Sequence, residues 1–206
     1  MKPQRLTREQ SRDQTRERLL NAAHRIFLKK GFVAASVEDI AAAAGYTRGA
    51  FYSNFRSKSE LLLELLERNH ALVQADFQAI FDEGGSREQM ESMTLAHYRT
   101  LFADDEFSLL WGEAKLQAAR DAKFRVRFNQ FLHAKRVQMA EFIRRFSERS
   151  GTPLLLPAET FAFGLMCLCD GVQSYYAADP QHVPADVAES VLAGFFARVV
   201  LGRAPD

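Results

Sequence analysis

Apolar residues recur every three or four positions along most of this chain, and the interruptions fall at residues that end helices. Leu19, Leu20, Ala23, Ile26 and Phe27 lie at helical spacing and predict an amphipathic helix that stops at Gly31. Upstream, residues 1 to about 11 are polar and basic without an apolar period, and read as an arm. Ser36 stands three residues before Asp39, a helix-start pattern. Aspartate is one methylene shorter than the usual Glu or Gln there, so Asp39 reads as favourable charge rather than as half of a full capping box. The helix carries Ile40, Ala41 and Ala44 and stops at Gly45. Thr47 caps a third, short helix with Phe51 and Phe55 on one face. Ser57 and Glu60 have capping-box spacing and open a long fourth helix, with Leu62, Leu65, Leu66, Val73, Phe77, Ile80 and Phe81 in its stripe and Gly84-Gly85 at its end.

The remainder predicts five more helices. Ser86 with Gln89 opens one of about 17 residues, and Asp104-Asp105 separates it from another carrying Leu110, Ala114 and Ala118. A long helix runs from about 122 to 149, with Phe124, Phe128, Phe131, Phe142 and Phe146 near its apolar face. Ser150-Gly151-Thr152-Pro153 is a loop. Pro157 opens a helix to about Ala178, closed by Asp179-Pro180, and Pro184 opens a last one to about Leu201, closed by Gly202. Composition agrees: 29 Ala and 23 Leu outweigh 22 Val, Ile and Thr, and no proline falls between Pro3 and Pro153. Nine helices without a credible strand predict an all-α fold.

Several function classes drop out at this point. The N-terminus has no apolar leader, and apolar runs such as Thr160 to Cys169 are far too short to span a bilayer, so a cytoplasmic protein without membrane contact is expected. Cys167 and Cys169, two apart on a helix, point to different faces and cannot form a disulfide framework. The five histidines (24, 70, 97, 133, 182) lack metal-ligand spacing, and neither a catalytic triad nor a phosphate loop is present; no metal, cofactor or enzymatic activity is expected.

A formal net charge of +1 would argue against a nucleic-acid partner if it were spread evenly. It is not. Residues 1–60 hold 12 Lys and Arg against 6 Asp and Glu, whereas residues 61–206 hold 15 against 20. The basic part contains the most informative stretch, residues 36–61, which reads as helix, glycine turn, short helix. With Val37, Ile40, Ala41 and Ala44 packed on Phe51, Phe55 and the first helix, Thr47, Arg48, Gly49, Tyr52 and Ser53 are left facing outward. A helix presenting its first residues in this way fits the major groove of B-DNA. Arg48 suits a guanine or a phosphate, Gly49 permits close backbone approach, and Tyr52 offers a hydroxyl to phosphate and a ring to a thymine methyl. Lys58 and Ser36 are candidates for backbone contact.

The same residues resemble the signature of the TetR/AcrR family of bacterial transcriptional regulators: Ile40-Ala41, Ala44-Gly45, Thr47-Arg48-Gly49, Phe51-Tyr52, Phe55, Lys58 and Leu61, with Phe27 and Gly31 upstream. Tyr46 departs from the common valine, and Ser53-Asn54 from the frequent histidine or tyrosine, which bears on operator preference; the family's phosphate contacts at those two positions would fall to Ser53 and Asn54. The resemblance implies a helix-turn-helix domain over 1–60, its motif at about 36–55, and a helical ligand-binding and dimerisation domain over 61–206. It also implies repression relieved by a small ligand.

The second part offers weaker candidates. The last two helices are apolar on more than one side, which suggests burial against a second copy through Leu165, Leu168, Val172, Val191, Phe195 and Val199. Polar or amphipathic residues among apolar positions at His97, Tyr98, Trp111, Glu113, Gln117, Asp170, Gln173 and Tyr176 are candidates for the pocket of a small, largely apolar ligand. Asp170 stands out because a buried carboxylate needs a partner. The expected partners are therefore operator DNA, a second copy and a small molecule. A helical adaptor or ligand-binding protein without operator binding is the alternative.

Overall fold

Gly31 shows how local backbone chemistry shapes the N-terminal helix. The structure, a computed structural model, describes residues 7–84, 86, 88–89, 92–94, 96, 105–151, 153–179 and 181–199. Helix α1 spans Arg8–Ala34 but is broken at Gly31, where φ is 75° and ψ 160°. The regular helix breaks at the glycine where a stop was expected, but the chain does not leave the helix there and makes one further turn to Ala34. A side chain at this position would also bring its Cβ to 3.0 Å from Oε1 of Glu113. At the other end α1 starts earlier than its apolar period. Thr7 accepts the N–H of Gln10, whose side chain accepts the N–H of Thr7 in return, so residues 8–11 are helix rather than arm.

The next elements are α2 (Val37–Ala43), α3 (Arg48–Tyr52) and α4 (Lys58–Glu83), followed by α5 (Asp105–Arg120), α6 (Ala122–Ser150), α7 (Ala158–Ala178) and α8 (Ala185–Val199). Residues 88–89, 92–94 and 96 are also helical, and Ser86 and Gln89 exchange the two bonds of a capping box. The fold is all-α, with no strand among the described residues. No helix among them is long and apolar enough to cross a membrane. At the start of α4 the capping differs from expectation: Ser57 accepts the N–H of Glu60, but the Glu60 carboxylate turns to the N–H of Arg56 at 2.6 Å.

Two compact units divide the chain: Met1–Asn69 with Leu109–Phe128, and His70–Ser108 with Asn129–Asp206. In the first, α1 packs on α2 and α2 on α3. Its core comprises Leu19, Leu20, Ala23 and Phe27 from α1, Ile40 and Ala41 from α2, Phe51 and Phe55, and Leu61, Leu62 and Leu66 from α4. Each large side chain buried here contributes about 1.5–3 kcal/mol. In the second unit α7 packs on α8. Phe77, Phe81, Phe146 and Leu165 form one buried cluster, and Ala140, Ile143, Ala158, Phe161 and Ala162 another; Phe142 is packed against both. Phe142 also meets Phe77 and Phe81 edge-on, with ring centres 4.6 and 4.9 Å apart.

Candidate nucleic-acid interface

The α2–α3 pair is built almost entirely from local bonds. Ser36 Oγ accepts the N–H of Asp39 at 3.0 Å, and Asp39 Oδ2 accepts the N–H of Ser36 at 3.1 Å. This is a full reciprocal box, which corrects the expectation from side-chain length: the shorter aspartate still reaches back. Its other oxygen takes the Lys30 ammonium at 2.7 Å. The Lys30 bond first, and the Ser36 bonds after it, pull the Asp39 carboxyl down to about 2. At the far end Gly45 has φ 77°; its N–H donates to Ala42 and that of Tyr46 to Ala41, closing α2 with a left-handed turn. Thr47 then caps α3 by accepting the N–H of Ala50 at 3.3 Å.

On the outer side, Thr47, Arg48, Gly49, Tyr52 and Ser53 are all exposed, while Phe51 and Phe55 face inward. Arg48 is held before any ligand arrives. Its Nη1 lies 2.8 Å from Oε1 of Glu38, and its guanidinium stands 5.5 Å from the Tyr52 ring centre. A hydrogen bond to Tyr52, then the Glu38 charge, raise its pKa further. Ser53 Oγ donates to the carbonyl of Gly49.

Two predicted contact residues are committed elsewhere. Asn54 is half-buried, with Nδ2 donating to the carbonyl of Ala50 at 2.8 Å and Oδ1 buried without a hydrogen bond. The Lys58 ammonium donates to the carbonyls of Phe32, Val33 and Ala35 at 2.6, 3.1 and 2.9 Å and lies 4.6 Å from the Phe32 ring centre. Rather than projecting outward, Lys58 closes the last turn of α1, where carbonyls have no helical partners. Burial lowers its pKa, and Glu113 opposes that.

Glu38, Lys30 and Arg16 were not singled out from sequence, although each serves this site. Arg16 lies one turn ahead of Leu19 and Leu20, on the stripe that faces the core; a charge at such a position was the available signal.

Residues 19–65 match the family model described as bacterial regulatory proteins of the tetR family. Over this segment the chain is similar to the TetR family. A similar curated protein is the HTH-type transcriptional regulator AcrR of Shigella flexneri, 40% identical over 76 residues, or 35% of each chain. The matched segment thus spans about a third of that relative's length. Similarity of fold extends further. A TetR-family transcriptional regulator from Rhodococcus sp. superposes with a TM-score of 0.76 at 21% identity, covering 91% of this chain and 99% of its own. A transcriptional regulator from Saccharomonospora viridis in complex with choline gives 0.72 at 21% identity, covering 89% and 96%.

The other TetR-type expectations fall on scattered places. Among the pocket candidates, His97 and Tyr98 lie outside the described residues. Trp111, Glu113 and Gln117 belong to the first unit. There Trp111 meets Phe128 with ring centres 5.9 Å apart, Gln117 donates to Asp121, and Glu113 accepts the N–H of Phe32 at 3.0 Å. Asp170, Gln173 and Tyr176 belong to the second; Asp170 is exposed in the single chain, contrary to the buried carboxylate expected, and Gln173 and Tyr176 are half-buried.

The interface candidates divide more cleanly. Leu165 is 2% exposed and sits in the Phe77–Phe81–Phe146 cluster, with Phe195 packed against it, so both serve the core of their own unit. Leu168, Val172 and Val191 instead line an apolar surface groove with Tyr175 and Val187. The side chain of Val199 lies outside the described residues. As their spacing required, the cysteines diverge: Cys167 opens into this groove, whereas Cys169 packs on the core cluster, where burial pushes its thiol up to about 12.

Proposed function

We propose that this chain is a DNA-binding transcriptional regulator, a repressor that acts in the cytoplasm as a homodimer on a near-palindromic operator and is released by a small molecule. Residues 1–60 read DNA, and residues 61–206 carry the ligand and the second copy. The observation that supports it most is the outward set of Thr47, Arg48, Gly49 and Tyr52 on a short helix capped at its start, backed by apolar anchors and lying inside the TetR-family match. One recognition helix reads few bases, each contact worth about 1–3 kcal/mol of discrimination. Two copies across half-sites double that, and the apolar groove of α7 and α8 is the surface proposed to bring them together.

Ser36, Ser53 and Tyr52 supply hydroxyls to phosphates, and Arg48 and Thr47 read base edges. Asn54 and Lys58 keep the frame in place. The ligand is a small, largely apolar molecule, and it acts by favouring a helix spacing that no longer fits the groove. No catalytic role is proposed.

A gel shift of the full chain against the DNA upstream of its own gene tests this. Retardation at low salt, weakened by Arg48→Ala and by Tyr52→Ala with the dimer intact by sedimentation, is expected. Absence of retardation overturns the regulator, and unchanged affinity in both variants overturns the helix assignment.

A further inference from the structure

We infer that Arg16 is a positioning residue for α3: it fixes the angle at which that helix meets DNA without touching DNA itself. The inference rests on α3 being the helix that reads DNA.

A five-residue helix cannot hold its own orientation, because it closes barely one turn of hydrogen bonds. Its apolar anchors, Phe51 and Phe55, are 0% and 1% exposed and fix its depth. Apolar contact is non-directional, however, and leaves rotation about the anchor poorly defined. Arg16 supplies the missing direction. Its Nη1 donates to the carbonyl of Asn54, just past the end of α3, at 2.7 Å. The guanidinium carbon lies over the Phe55 ring, 4.2 Å from its centre. The other edge of the fork is taken by Glu64 of α4, with Nε to Oε1 at 3.0 Å and Nη2 to Oε2. One planar group on α1 therefore ties the end of α3 to α4.

Arginine suits this arrangement, since a lysine ammonium presents a point charge and cannot bond a carboxylate and a carbonyl through one rigid fork while covering a ring. Because Glu64 already neutralises it, Arg16 has little charge to give a phosphate. That distinction can be measured. Affinity that depends on positioning falls without changing the salt dependence, whereas each lost phosphate contact flattens the slope of log K against log salt by about 0.9.

The test compares the full-length wild type with Arg16→Met, Arg16→Lys and Glu64→Gln, by fluorescence anisotropy on the DNA retarded by the wild type, across a salt series. We expect Arg16→Met and Arg16→Lys each to weaken binding about tenfold or more with the wild-type salt slope, and Glu64→Gln to weaken it a few-fold in the same way. Hydrogen exchange supplies a readout independent of DNA: the amides of Ser53, Asn54 and Phe55 should exchange about tenfold faster in the Arg16 variants, with that of Ala44 in α2 unchanged.

Unchanged affinity, full rescue by lysine, a flattened slope or unchanged exchange at α3 each overturns the proposal. Should Arg16→Met fail to fold, Arg16→Lys and Glu64→Gln carry the same test. Failure of the wild type to bind DNA at all, by contrast, overturns the DNA reading, while the exchange data still decide whether Arg16 holds α3.

Discussion

The outward faces of α2–α3 and of α7–α8 are both exposed in the single chain, yet they are constructed in opposite ways. On α2–α3 the polar groups are held by local bonds: Ser36 with Asp39, Asp39 with Lys30, Arg48 with Glu38 and Tyr52. On α7–α8 there is little to hold, because Leu168, Val172, Tyr175, Val187 and Val191 are apolar, with Tyr175 71% exposed. Hydrogen bonds lose strength steeply with angle, so a face that reads a polar partner must fix its side chains in advance. Apolar association scales with area and needs no such fixing. The first face is therefore vulnerable to small changes of geometry and the second to changes of polarity.

The largest effect should come from reversing the polarity of the second face. Val172→Glu combined with Val191→Glu would place unpaired carboxylates in the proposed dimer interface and weaken association by several kcal/mol, about 3–5. Sedimentation should show a folded monomer, and a dimer that persists at micromolar concentration would show that the copies meet elsewhere.

A smaller but clear effect is expected from the geometry of the first unit. Gly31→Ala forces a side chain into a positive φ and against Glu113, and should destabilise the chain by about 1–3 kcal/mol. In a chain of this size that corresponds to a fall in Tm of roughly 2–4 °C per kcal/mol, readable by calorimetry. An unchanged Tm would mean that the kink relaxes freely.

The next test uses acid. Asp39 has its pKa lowered to about 2 from an ordinary value of 3.8. A depressed carboxyl stabilises the fold fully above its unfolded pKa and loses that contribution as pH falls through its folded one, so the α2 cap should survive at pH 4 and fail toward pH 2. A carbon-detected titration of the Asp39 carboxyl should have its midpoint near 2. A midpoint at the ordinary value, or one unmoved by Lys30→Met, would refute the cap network.

The smallest change is Glu38→Gln. An exposed pair of this kind contributes about 0–1 kcal/mol to stability, so the fold should not respond. Freed from its carboxylate, Arg48 should bind unrelated DNA more tightly, and the ratio of operator to non-operator affinity should fall about two- to fivefold. A ratio that rises would mean that Glu38 itself competes with the operator.

Much of the fold was legible because helix ends are written in adjacent residues. Gly45, Thr47, Pro157 and the Ser86–Gln89 pair act within one turn, and they ended or opened helices where their chemistry predicted. The first turn of α1 was missed because it faces no core and so has no apolar period, leaving only Thr7 and Gln10 to mark it. The outward set Thr47, Arg48, Gly49, Tyr52 and Ser53 was legible for the same local reason. Asn54 and Lys58 were not: a polar side chain has several partners within reach, and which one it takes depends on elements 4 to 26 residues away. Leu165 and Leu168 make the same point for apolar residues, since one helix spacing fits both, yet the first went to the core of its own unit and the second to the surface groove.

By itself, then, the sequence determined that the chain is all-helical, where most helices begin and end, and which short helix turns its polar residues outward. Those follow from backbone geometry, capping and periodicity, all of which act over a few residues. Only the tertiary structure decided that Glu113 would accept the N–H at the break of α1, that Lys58 would close that helix, and that Arg16 would link α3 to Glu64. Such contacts join residues 23 to 81 positions apart, and their existence depends on which helix faces meet, a choice made by the packing of the whole core.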